Sequence, residues 1–221
     1  ATAGAVPTVR ARVDIARFTR SSASVVSAPV DIALLATLDR SGGEMRALIR
    51  RGGGIVGRMQ AKLAPLGPGA ALSERLLAAP LSGGIRYNGP AEVLWTLTGI
   101  AGQEVSGPIA VAADFGGRLA EPTLVGVARA KTLRYENETY GTALTDIALD
   151  GRFTQSRLEI VSLAGKAGPG SFNVSGTIGL DAAGGFPLDL KATLQKAQLA
   201  HSDALGATVS GTLTITNNKA A

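Results

Sequence analysis

Apolar and polar residues alternate one for one along most of this chain, and that period restricts what it can fold into. Val9, Ala11, Val13 and Ile15 alternate with Arg10, Arg12 and Asp14. Val30, Ile32, Leu34, Ala36 and Leu38 alternate with Asp31, Thr37 and Asp39. Met45, Ala47 and Ile49 stand against Arg46 and Arg50, and Ile55, Met59, Ala61 and Leu63 against Arg58, Gln60 and Lys62. The comb returns in Phe172, Val174, Ile178 and Leu180, in Leu188, Leu190, Ala192 and Leu194, and in Val209, Leu213 and Ile215. Successive side chains of a strand point to opposite faces, so each segment is a strand with one apolar face. Ser41-Gly42-Gly43, Gly52-Gly53-Gly54, Gly168-Pro169-Gly170 and Asp181 to Gly185 supply turns between them. The expected fold is all-β, with about a dozen strands.

Helix is confined to two short stretches. Residues 73–79 suit two turns with Ser73 as cap, and 90–98 suit a helix with Asn88 near its cap and Pro90 in its first turn. Trp95, the sole tryptophan, is expected to anchor that second helix in the interior. Gly-led strands at Ser106-Gly107, Tyr140-Gly141, Ser175-Gly176 and Ser210-Gly211 recur at intervals of about 35 residues. A fixed period of that size predicts a repetitive, elongated architecture. The whole of 1–221 is read as one piece of a longer repetitive domain, with a sub-boundary near 65–100.

A dozen one-faced strands must hide that face in a sandwich, a barrel or a sheet curled on itself. Only 4% of the residues are aromatic, while Gly numbers 29 and the apolar residues are mostly Ala, Val, Leu and Ile. Such faces suit a curled sheet around a smooth apolar trough more than a core centred on aromatics. There is no cysteine, hence neither a disulfide framework nor a thiolate metal site. No apolar run approaches the roughly 20 residues of a membrane helix. The chain opens without Met or a basic-then-apolar leader, so it is read as a segment of something longer.

Several segments, in order, resemble the TamB family of envelope proteins. They are Glu121 to Ala130, Leu133-Arg134-Tyr135-Glu136-Asn137 with Tyr140-Gly141-Thr142, Ile147 to Phe153 with Ser156 to Ile160, Ala167 to Gly176, and Leu199 to Gly211. The resemblance runs from roughly residue 106 to 216 and extends back to 30. It implies a β-taco, a folded sheet with an apolar inside, anchored by its parent in the inner membrane of a Gram-negative bacterium and reaching through the periplasm toward the outer-membrane partner TamA. It also implies a role in outer-membrane protein assembly or in shielding phospholipid acyl chains. The expected lining of the trough is Val9, Val13, Ile15, Ile32, Leu34, Leu38, Ile49, Ile55, Met59 and Leu63 in the first half. Ile109, Val111, Phe115, Leu158 and Ile160 follow, then Phe172, Val174, Ile178, Leu180, Leu188, Leu190, Leu194, Val209, Leu213 and Ile215.

Other chemistry finds little support. Gly52 to Gly57 spells G-x-G-x-x-G, but an alternating strand follows where a dinucleotide site needs a helix. His201 is the lone histidine and is read as an exposed loop residue. No enzyme, cofactor or metal site is expected. Arg46, Arg50, Arg51 and Arg58 form the densest basic cluster, without the stacking aromatics of nucleic-acid readers, so a solvated outer face is expected, with contact to anionic headgroups as the alternative, and no nucleic-acid partner. Asn137 and Asn173 begin glycosylation sequons that carry no meaning in a bacterial envelope. The competing reading is a β-solenoid passenger or adhesin domain, which would usually repeat on a shorter period with polar Asn/Thr ladders.

Overall fold

A computed structural model of the chain describes residues 7–19, 29–67, 71–96, 102–180, 185–202 and 205–217. The chain is all-β, with thirteen strands and two short helices among the described residues. In order they are β1 (Val9–Phe18), β2 (Val30–Asp39), β3 (Gly42–Arg51), β4 (Gly54–Leu63), α1 (Leu72–Ala78), β5 (Leu81–Pro90), α2 (Ala91–Thr96) and β6 (Gln103–Ser106). Then come β7 (Pro108–Gly117), β8 (Pro122–Asn137), β9 (Thr142–Gln155), β10 (Arg157–Ala167), β11 (Gly170–Gly179), β12 (Leu188–Ser202) and β13 (Leu205–Thr216). Strands pair antiparallel in the order β1-β2-β3-β4-β5-β7-β8-β9-β10-β11-β12-β13, and β6 pairs with β8 off that path. Most connections are short because antiparallel neighbours need only a hairpin.

The helices differ from the sequence expectation in register. The first begins one residue early, with Ala71 at its cap position and no side-chain cap, so Ser73 lies in its first turn. It buries no residue and is tied by the Arg75 guanidinium, which donates to Gly67 O at 2.6 Å. The second starts after Pro90, which ends β5; Asn88 belongs to that strand. Residues 97 and 98 of the expected helix lie outside the described residues, as do 181–184 of the expected turn.

The chain divides into two compact units. Unit 1 draws on Ala1–Thr19, Ala28–Tyr87 and Ala112–Gly126; unit 2 draws on Arg20–Ser27, Asn88–Val111 and Val127–Ala221. Unit 2 holds a packed core: Ala91, Ala130, Leu133, Ile147, Ala167, Phe172, Leu194 and Ala197 are buried together. Unit 1 buries far less, with Val30, Ala79, Tyr87 and Ala113 its buried apolar residues.

Bulges explain how unit 2 folds its apolar face onto itself. Register shifts interrupt the β9–β10, β10–β11 and β12–β13 ladders. Asp146 and Lys196, at two of them, take positive φ of 52° and 47°. A bulge bends its strand and increases local twist. The bulge amide of Lys196 donates to Ser210 Oγ at 2.8 Å, and the Lys166 ammonium pairs with Asp146 at 2.7 Å. The curl brings β12 back to β9, where the Thr142 hydroxyl donates to Leu199 O at 2.5 Å.

Candidate functional site

The alternation of unit 1 becomes a surface once the strands are in register. Cross-strand partners align four rows across β1 to β5: Ile15–Ile32–Ile49–Gly57–Tyr87, Val13–Leu34–Ala47–Met59–Ile85, Ala11–Ala36–Met45–Ala61–Gly83, and Val9–Leu38–Gly43–Leu63–Leu81. All twenty positions are apolar or glycine, and only Gly57 and Tyr87 are buried. Val9, Val13 and Ile15 on β1 are 40–45% exposed. Leaving large aliphatics at that exposure in water costs about half of the 1.5–3 kcal/mol that full burial of each would recover. At the turn end a cavity of about 510 Å³ opens between Leu63 and Leu81 of this face and the polar Asp39, Glu44 and Lys62.

Glycines and aromatics fit together on these faces. A Cβ at Gly83 would lie 2.6 Å from the Phe115 ring, one at Gly57 2.9 Å from Tyr87, and one at Gly165 3.0 Å from Phe172. Phe115, Tyr87 and Phe172 each lie over a glycine of the neighbouring strand, which keeps the faces smooth there although the rings are bulky.

The expected lining residues fall into three groups. Ile160, Phe172 and Leu194 are buried in unit 2. Ile32, Leu34, Leu38, Ile49, Met59, Leu63 and Phe115 in unit 1 are half-buried. So are Ile109, Val111, Leu158, Val174, Ile178, Leu180, Leu188 and Leu190 in unit 2. Val209, Leu213 and Ile215 on β13 are exposed, as are Val9, Val13 and Ile15.

Ile55 departs from the pattern. A bulge at Val56 shifts the register so that Ile55 lies opposite Arg50, on the other face, and it is 45% exposed. One extra residue suffices, because the side-chain period is two.

Sequence reasoning passed over Tyr87 and Ile85. Leu81, Ile85 and Tyr87 do alternate with Ser82 and Arg86, but Gly83-Gly84 blurs the strand, and the helix signal from residue 90 overlaps its end.

At the other end of unit 2, α2 and β6 cover the interior. Ala91 joins the core and its amide donates to Gly107 O at 2.7 Å. Trp95, half-buried, donates its indole N–H to Gln103 O at 2.9 Å, and the Tyr135 hydroxyl meets Gln103 Oε1 at 3.2 Å. Asn137, of the expected sequon, is buried, and its Oδ1 accepts from the amides of Thr139 and Tyr140 to cap the β8–β9 turn. Glu104 and Glu136 stand directly opposite each other, with Arg134 2.6 Å from Glu136. The Arg134 hydrogen bond holds the Glu136 carboxyl below the usual range, against a smaller opposing effect of burial.

Gly52 and Gly53 form a hairpin turn between β3 and β4, with a strand after it. His201, expected in a loop, lies in the β12 backbone opposite Gly206. Among the described residues no cluster of three or more metal-ligating side chains occurs, and no helix is long and apolar enough to cross a membrane.

The repeat glycines share a backbone property. Gly107, Gly141, Gly176 and Gly211 all take positive φ, between 60° and 148°. The first two sit beside strand ends, whereas the last two lie within β11 and β13.

Antiparallel strands that share one apolar face, packed shut in unit 2 and left partly exposed in the described residues of unit 1, define an apolar-faced β-sheet protein. Residues 161–221 match the family model of the TamB C-terminal domain, which supports the resemblance to the TamB family over that part of the chain. The match lies in the C-terminal part of the stretch on which the sequence resembles the family. No curated protein and no solved structure matches the chain.

Proposed function

We propose that the chain is a section of a periplasmic conduit in which the apolar face of unit 1 shields phospholipid acyl chains. Its parent, on this reading, is anchored in the inner membrane and works with TamA. The observation that carries it is the set of four apolar rows across β1 to β5, of which only Gly57 and Tyr87 are buried. At about 0.8 kcal/mol per methylene, a chain of fifteen carbons costs on the order of 12 kcal/mol to wet. Lying on an open face recovers roughly half of that, enough to lower the barrier to transfer without trapping the lipid. A role in outer-membrane protein assembly draws on a different feature: β1 and β13 each have a single partner strand among the described residues, and an edge of that kind accepts an added strand. A solenoid adhesin would present its binding surface outward and fill its interior, which the rows of unit 1 do not favour.

The test places a photo-crosslinking residue at Leu34 or Met59, and separately at Lys191 or Thr193, exposed on the polar side of β12, in cells. Adducts are extracted into organic solvent and identified by mass spectrometry. Phospholipid adducts are expected at the first pair alone, and none at Leu194 in the unit 2 core. Equal labelling at the two pairs, or none at Leu34 and Met59, refutes the acyl-chain reading.

A further inference from the structure

The excess positive charge of this chain is not spread evenly. Unit 1 carries twelve Lys and Arg against seven Asp and Glu. The described part of unit 2 carries eight against eight. Charge imbalance confined to one part of a chain marks a surface that meets an oppositely charged partner.

Much of this charge lies on the face of β1 to β5 opposite the apolar rows. There Arg12–Leu35–Arg46, Asp14–Ala33–Leu48–Arg58–Arg86 and Asp31–Arg50–Ile55 run across the strands as cross-strand partners. Acidic side chains answer some of these cations. Asp14 pairs with Arg12 at 2.5 Å and Asp114 with Arg86 at 2.6 Å, while Glu44 is shared between Arg46 and Lys62 at 3.7 and 3.6 Å. Arg50 and Arg58 make no ion pair among the described residues. Arg58 also stands directly opposite Arg86; Asp114 answers the Arg86 charge, and Arg58 is left beside a second cation without a carboxylate of its own among the described residues.

Two exposed aliphatics share this face. Leu35 is 53% exposed between Arg12 and Arg46, and the β4 bulge turns Ile55, 45% exposed, to the side of Arg50. No aromatic stands in these rows, which disfavours stacking on nucleic-acid bases. Unpaired arginines beside isolated large aliphatics match the layered chemistry of an anionic bilayer surface: phosphates meet the guanidinium groups, and Leu35 and Ile55 reach the headgroup–acyl boundary.

We propose that this cationic face of unit 1, centred on Arg50 and Arg58 with Leu35 and Ile55, docks on the surface of an anionic phospholipid bilayer. The docking stands independently of whether the opposite face carries acyl chains.

The test is co-sedimentation of the purified chain with vesicles of phosphatidylcholine alone and of equimolar phosphatidylcholine and phosphatidylglycerol. Binding is expected to the anionic vesicles and to fall with added salt. Each basic side chain at an anionic surface is worth about fivefold in partitioning. The pair R50Q/R58Q is therefore expected to lower it roughly thirtyfold. Arg58→Lys keeps the charge and is expected to keep the binding. The pair K191Q/K196Q, which removes the same charge from exposed positions of unit 2, is expected to leave it within about twofold of the parent. L35S/I55S is expected to weaken binding even at low salt. Each variant is compared by its thermal unfolding curve, so a misfolded double variant is recognised and replaced by the single variants R50Q and R58Q, each expected to lower binding about fivefold. Equal loss in the unit 2 pair would mean net charge alone and overturns the proposal. So does an absence of preference for anionic vesicles, or capture of an acidic protein by this face with no vesicle binding.

Discussion

Truncating one leucine in each unit tests whether their apolar faces differ in kind. Leu194 is 5% exposed, between Phe172 on β11 and Gly211 on β13. Leu34 is half-buried, between Val13 on β1 and Ala47 on β3. Replacement by Ala removes three carbons, worth about 2.4 kcal/mol at full burial. In unit 2 the surrounding side chains close over the gap only in part, so a cavity term raises the cost of Leu194→Ala to about 3–5 kcal/mol. On an open face no cavity forms, and half-burial halves the transfer cost, so Leu34→Ala should lose about 1 kcal/mol. Urea unfolding followed by circular dichroism reads the difference. With m near ~2 kcal/mol/M, the midpoint should fall by about 1.5–2.5 M for Leu194→Ala and by ~0.5 M for Leu34→Ala. If the units unfold separately, amide hydrogen exchange reports each one. Equal losses would refute the reasoning, because a face that is as costly to truncate as a core is covered by something.

Two further substitutions probe narrower points. Gly83→Ala puts a Cβ 2.1 Å from the backbone oxygen of Gln60 and 2.6 Å from the Phe115 ring; with backbone on one side unable to yield, it should destabilise by about 1–3 kcal/mol, seen as a lowered melting temperature. Glu136→Gln removes a carboxylate whose folded-state pKa lies below its ordinary value because Arg134 hydrogen-bonds it. The stabilisation from that depression is present above the ordinary carboxylate range and fades as the pH falls through the lowered folded value. Since the pair is substantially exposed, the neutral-pH loss should stay below about 1 kcal/mol. A melting-temperature profile from neutral pH into acid should be flatter for the variant, and an unchanged slope would remove Arg134 from the account.

The alternation of Val9 to Ile15, Val30 to Leu38 and Leu188 to Leu194 was enough to place strands and their apolar sides, because the period of two is a property of the backbone. Ile55 was misplaced because a bulge leaves no mark in an alternating string when the inserted residue is itself apolar, as Val56 is. Tyr87 was missed because a Gly-Gly pair carries no side chain to count. Helix starts shifted by one residue, since Ala71 rather than a capping side chain precedes α1.

Sequence by itself determined that this chain is all-β, that most strands own an apolar face, and that its C-terminal part resembles the TamB family. Tertiary structure decided which of those faces are hidden. Leu34 and Leu194 occupy equivalent places in equivalent patterns, yet one is half-exposed and the other buried. The difference lies in whether distant strands return over the face, as β12 does to β9 through Thr142 and Leu199. Strand alternation is local, but what covers a face depends on bulges, register and curl accumulated over several strands, and no window of sequence contains that sum.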